Sequence, residues 1–147
     1  MPTEADPLVQ EQESGVGVKA AFRVMGPDLD PAAVSQLLDL EPTEAHRRGD
    51  PRVGKSGRRY SDFSEGLWGW RPDLAESEPL AEHLRALLDV LEPKAMGLQQ
   101  LKEIGLRLDL FVGVFGSEGN FALILEQELL SRLGRLGVDL VLDVYSC

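Results

Sequence analysis

Three stretches of the chain alternate apolar and polar residues with a period of two, and they decide what it can fold into. In residues 16–25, VGVKAAFRVM, Val16, Val18, Ala20, Phe22 and Val24 share one face. In residues 106–115, LRLDLFVGVF, Leu106, Leu108, Leu110, Val112 and Val114 do the same. In residues 138–145, VDLVLDVY, Val138, Leu140, Leu142 and Val144 share the inward face. Side chains alternate across a strand, so each stretch predicts a strand with one buried face. A fourth short apolar run, FALIL at 121–125, follows the turn residues GSEGN and is expected to close a hairpin with the strand before it.

Between these strands the spacing turns helical. Asp30 before Pro31 predicts an N-cap and first helical residue, with Val34, Leu37 and Leu38 inward and Pro42 ending the helix. A second helix starts near Ser77–Pro79, and Leu80, Leu84, Leu87, Leu88 and Leu91 form its stripe. Pro93 has no N–H and crowds the preceding turn, so the helix should break at Glu92-Pro93. Ala95, Leu98, Leu101 and Ile104 then mark a further helical segment that stops at Gly105. A last helix places Leu129, Leu130, Leu133 and Leu136 inward, has Glu126 and Glu128 at its start and Arg132 and Arg135 near its end, and is capped by Gly137. Short strands are expected over Thr43–Arg48 and GLWGW at 66–70.

The expected order is β-α-β-β-α-β-β-α-β. It predicts an α+β, ferredoxin-like antiparallel or mixed sheet with helices packed on one face, extended by an extra hairpin-helix-strand. At 147 residues and 43% hydrophobic content the chain holds one core. Residues 1–15 are expected to be a disordered acidic tail, residues 16–147 a single domain, and residues 49–65 a long basic loop.

The chain shows no apolar run long enough to span a membrane and no signal peptide, and its one cysteine is the terminal Cys147. The expectation is a cytoplasmic protein without disulfides, metal site or cofactor. The net charge of −10 disfavours nucleic acid and membranes and favours a basic protein partner. The charge is uneven, because Arg47, Arg48, Arg52, Lys55, Arg58 and Arg59 crowd one segment opposed there only by Asp50. The same segment, GDPRVGKS at 49–56, matches the phosphate-loop pattern letter for letter. That motif needs a buried strand before it and a helix beginning at its lysine. TEAHRR is too polar for the strand and GRRYSDFSEG carries no helical stripe, so no nucleotide is expected at Gly49–Ser56.

Several sets of residues remain as candidates. His46, near Glu44 and Asp50, is a thin constellation for a metal or for acid–base chemistry, and a small-ligand or enzyme site would lie near His46, Arg48, Asp50 and Trp68. Trp68 and Trp70 share a strand face and serve either as a contact platform or, more commonly, as core. His83, at the flank of a helix, reads as a solvated histidine. Tyr60 and Phe63 beside the basic cluster could stack on bases, which keeps nucleic-acid binding through 47–59 as a third reading. Finally, strand alternation sends Lys19, Arg23, Arg107, Asp109, Asp139 and Asp143 to the face opposite the core, together with Met25, Phe111, Phe115, Val141 and Tyr145. Large apolar residues on a bare face call for cover, by a second subunit, a protein partner or the loop 49–65.

LEPTEAHRRGDP, then GLW, then HLRALLDVLEPKAMGLQQL, then LFVGVFGSEGNFALILEQELLSRLGRLGVDLVLDVY together resemble a bacterial family, domain of unknown function 4279, over about residues 18 to 145. The resemblance implies fold and extent and carries no chemistry. The leading functional expectation is a non-catalytic protein-binding module, in one version an immunity-type protein for a basic toxin. A cleft converging on His46 and Asp50 would instead favour the ligand-binding or enzymatic reading.

Overall fold

The computed structural model describes residues 15–116 and 119–146, so the expected acidic tail lies, apart from Gly15, outside the described residues. Seven strands run in chain order: β1 (Gly17–Gly26), β2 (Glu44–His46), β3 (Arg52–Val53), β4 (Arg59–Tyr60), β5 (Gly66–Trp70), β6 (Arg107–Gly116) and β7 (Asp139–Ser146). The helices are α1 (Pro31–Leu38), α2 (Leu80–Leu91), α3 (Ala95–Glu103) and α4 (Gln127–Leu136). Five strands form one sheet in the order β2-β5-β1-β6-β7, and β3 and β4 form a separate two-stranded ribbon. Every pair in the main sheet is antiparallel except β6–β7, which is parallel. The strands β1, β2, β5 and β6, with the helical connections between β1 and β2 and between β5 and β6, have the split β-α-β arrangement of a ferredoxin-like sheet. The α+β expectation holds, and the sheet is mixed.

The local signals act as their chemistry dictates. Asp30 accepts the Ala32 N–H at 3.1 Å with Pro31 in the first turn of α1. The helix ends earlier than Pro42, at Asp39, which takes a left-handed conformation (φ 49°). At Pro93 the helical chain tightens into a 3₁₀ turn, Glu92–Lys94, which separates α2 from α3. Phe22 and Val24 of β1, Leu110 and Val112 of β6, and the five leucines of the α2 stripe are fully buried against one another.

The expected hairpin after β6 does not form. Residues 121–126 pair with no strand, although Phe121, Leu123 and Leu125 pack against the core. The position beside β6 belongs to β7, and a parallel neighbour requires a crossover. Residues 121–126 and α4 make that crossover, so the extension is a helix and a strand without a hairpin. The Phe121 ring fills the space that a side chain at Gly116 would need. The loop 49–65 is likewise not all loop, since it carries the β3–β4 ribbon.

Several inward assignments also change. Leu37, Ala95, Ile104 and Leu130 are exposed, because each sits at the margin of its helical stripe, beyond the reach of the sheet. On β7, Leu142 and Val144 are exposed too. The strand is the outermost of the sheet, where helix cover runs out.

Candidate functional site

The basic segment is held by its own chain. Asp50 accepts the Arg47 N–H at 2.8 Å and closes a turn whose third residue, Gly49, has φ +88°. Gly49 N–H donates to the Phe63 carbonyl and Phe63 N–H to the Asp50 carbonyl, which pins the ribbon at its base. Arg47 pairs with Asp30 at 2.7 Å and Arg48 with Asp28 at 3.2 Å, so the loop folds back on an acidic turn. The His46 ring stacks on Phe63 with centroids 3.4 Å apart. The phosphate-loop letters fall on a hairpin: Gly54–Gly57 is the turn between β3 and β4, and Lys55 starts no helix.

His46, Arg48, Asp50 and Trp68 therefore do not converge. Asp50 is committed to a turn and Arg48 to an ion pair. Trp68 has no exposed surface, lies 6.0 Å edge-on from Phe22, and donates its indole N–H to Ser35 Oγ at 2.9 Å. Trp70 shares its face and is half-buried against the core. The two tryptophans lie on the helix side of the sheet, so Trp68 cannot serve the opposite face as a contact residue.

The helix-free face carries a different group. Arg23 and Asp109 are cross-strand partners joined by two hydrogen bonds, and the Arg23 guanidinium lies 4.2 Å from the Phe111 ring centroid. Arg107 pairs with Glu65 at 2.6 Å. Phe115 and Tyr145, partners across β6 and β7, stack nearly parallel at 5.2 Å. Tyr145 donates its hydroxyl to Asp143 at 2.5 Å, and that bond to a carboxylate raises the phenol's pKa. Phe111 is half-buried beneath Arg23, whereas Phe115 and Tyr145 remain exposed. A shallow cavity of about 160 Å³ lies among Lys19, Arg71, Phe111, Phe115, Asp143 and Tyr145. No residue of 49–65 lines it, so the loop is not its cover.

A family model described as Domain of unknown function (DUF4279) matches residues 17–147. The chain belongs to this family. The matched span contains every strand and helix described above, so the whole sheet, β7 included, is part of the DUF4279 domain. No curated protein and no solved structure matches the chain significantly. Among the described residues no helix is long and apolar enough to cross a membrane, and no cluster of three or more His, Cys, Asp or Glu side chains could hold a metal.

Sequence reasoning missed two residues of the DUF4279 domain. His83 is only 3% exposed. Burial pushes its pKa below the usual histidine value, although hydrogen bonds to the backbone of Ala75 and Glu78 oppose that. Its Nε2 has no partner among the described residues. The signal was present, because Leu80, His83, Leu84 and Leu87 fall at i, i+3, i+4 and i+7 of one stripe. Arg71, just past β5, lines the shallow cavity above and two more.

Proposed function

We propose that this DUF4279 domain is a non-catalytic, cytoplasmic protein-binding module that associates with a second copy of itself through the β7 side of its sheet. One observation carries the reading. The edge strand β7 exposes apolar side chains on both faces: Val141 (37%) and Tyr145 (52%) on one, Leu142 (41%) and Val144 (51%) on the other. A long apolar edge is a template for another strand, and isolated proteins normally blunt such edges with charge or cover. An antiparallel β7–β7 pairing centred on Leu142 is self-complementary. It sets Asp143 opposite Val141 of the second copy and Asp139 opposite Tyr145 of the second copy, so like charges do not meet. Light scattering on the isolated chain and on edge variants tests it.

The net charge of −10 supports a second reading, a basic protein partner of the immunity type on the same surface. The ligand-binding or enzymatic reading at His46, Arg48, Asp50 and Trp68 has less support, since Asp50, Arg48 and Trp68 are spent on the turn, the ion pair and the core. Nucleic-acid binding through 47–59 is also less supported. Arg52 and Arg58 already lie over the Tyr60 ring, and Phe63 is stacked on His46.

A further inference from the structure

We propose that the notch between β1 and residues 71–76 is a binding site for a small oxyanion, a carboxylate or phosphate group, held by Arg71 with His83 at its back. The notch follows from unequal strand lengths. β6 pairs with β1 from Gly17 onward, but β5 reaches only Phe22. Beyond that point the chain 71–76 runs beside β1, and Val18 N–H donates to the Glu76 carbonyl at 2.9 Å. Alternate residues of a strand direct their backbone groups to the same side, so Ala20 turns its N–H and C=O toward the notch as well. The space left is a cavity of about 90 Å³ whose lining includes Lys19, Ala20, Arg71, Glu76 and His83. That exceeds the ~10–15 Å³ needed to hold one water and leaves room for a small oxyanion.

Two polar groups at this cavity lack partners. Arg71 makes no ion pair or hydrogen bond among the described residues, in a chain of net charge −10 where Arg23, Arg47, Arg48, Arg59, Arg85, Arg107 and Arg132 are all paired. His83 is buried, and its Nε2 has no partner among the described residues. Buried polar atoms without partners are uncommon in native proteins and call for a water, an ion or a ligand. Lys19 also lines the notch, but its charge is shared with Glu76 at 3.2 Å, which leaves Arg71 as the free cation. The charged groups around the imidazole are therefore Lys19, Arg71, Glu76 and Glu78. An oxyanion placed here answers Arg71 and, beside Nε2, favours the imidazolium. Its binding then takes up a proton, and its affinity rises as the pH falls.

The chain has only two histidines, so His46 serves as the internal reference. Imidazole resonances are followed by NMR during titration with inorganic phosphate in one arm and acetate in the other. The expected result is a saturable shift of His83 with His46 unmoved, tighter at pH 6 than at pH 8, and weakened at least tenfold in Arg71→Gln, whose exposed position leaves the fold intact. Saturation by phosphate alone assigns a phosphate group, and saturation by acetate alone a carboxylate. No saturable shift with either, equal movement of both histidines, or unchanged affinity in Arg71→Gln overturns the proposal.

Discussion

Arg23 and Asp109 stand directly opposite each other on β1 and β6, and the guanidinium grips the carboxylate at two points, 2.8 Å from Nε to Oδ1 and 2.6 Å from Nη2 to Oδ2. The pair sits on the helix-free face with Asp109 buried. Removing one partner strands the other in a poorly solvated place, whereas replacing both with apolar residues does not. Asp109→Ala is expected to cost about 1–3 kcal/mol. The double variant Arg23→Met/Asp109→Leu should recover most of that loss. Urea denaturation of the single and double variants measures both.

The pH dependence of stability should carry the signature of His83. Its folded pKa lies below the ordinary 6.5, mainly because burial disfavours the charged ring. Between the folded and unfolded values the unfolded chain binds more protons. The stability contributed by the neutral ring is thus complete above about 6.5 and lost as the pH falls below it. His83→Leu should flatten that acid limb in denaturation midpoints followed from pH 8 to pH 5.

Arg132 joins α4 to the end of α2, meeting Asp89 at 2.7 Å and Glu92 at 2.7 and 3.1 Å. The hydrogen bond from Arg132 holds the Glu92 carboxyl below its usual pKa. This contribution is present above the ordinary carboxylate range and disappears as the pH falls through the lowered value. Because the carboxylates are partly exposed, Arg132→Ala should cost only about 1 kcal/mol, and less in 1 M salt. Denaturation at low and high ionic strength checks it.

Residues 49–56 should bind no nucleotide. Their backbone N–H groups are deployed around a hairpin turn, where Gly54 donates to the Arg58 carbonyl, and at the base of the ribbon, where Gly49 donates to the Phe63 carbonyl. Titration with Mg²⁺-ATP or Mg²⁺-GTP should show no saturable binding. Micromolar affinity abolished by Lys55→Ala would contradict this.

The fold was legible wherever a signal is local. Two-residue alternation located β1 and β6, Asp30-Pro31 located the start of α1, and Pro93 located the break between α2 and α3. What escaped depends on tertiary order. FALIL has strand composition, but β7 occupies the ladder position that it would need. Leu142 and Val144 alternate as core residues do, yet they lie on the outermost strand, and alternation cannot say which strand is outermost. Trp68 and Trp70 were placed on one face correctly, and only the position of the helices decided that it was the core face. At the candidate site, the placement of Arg23 and Asp109 on the helix-free face followed from alternation. The notch at Arg71 did not, because it arises from the difference in reach between β5 and β6. His83 was legible and misjudged, since its place in the leucine stripe outweighs the usual preference of histidine for water.

The central claim is that the β7 side of the sheet joins two copies of the chain. Light scattering coupled to size exclusion, on the wild type and on Leu142→Asp and Tyr145→Asp, tests it most directly. These side chains are exposed in the isolated chain, so the variants should fold, with circular dichroism as the control. The account predicts a wild-type mass of twice the chain and monomeric, folded variants. A wild type that stays monomeric at about 100 μM, or a dimer that both variants leave intact, would contradict it.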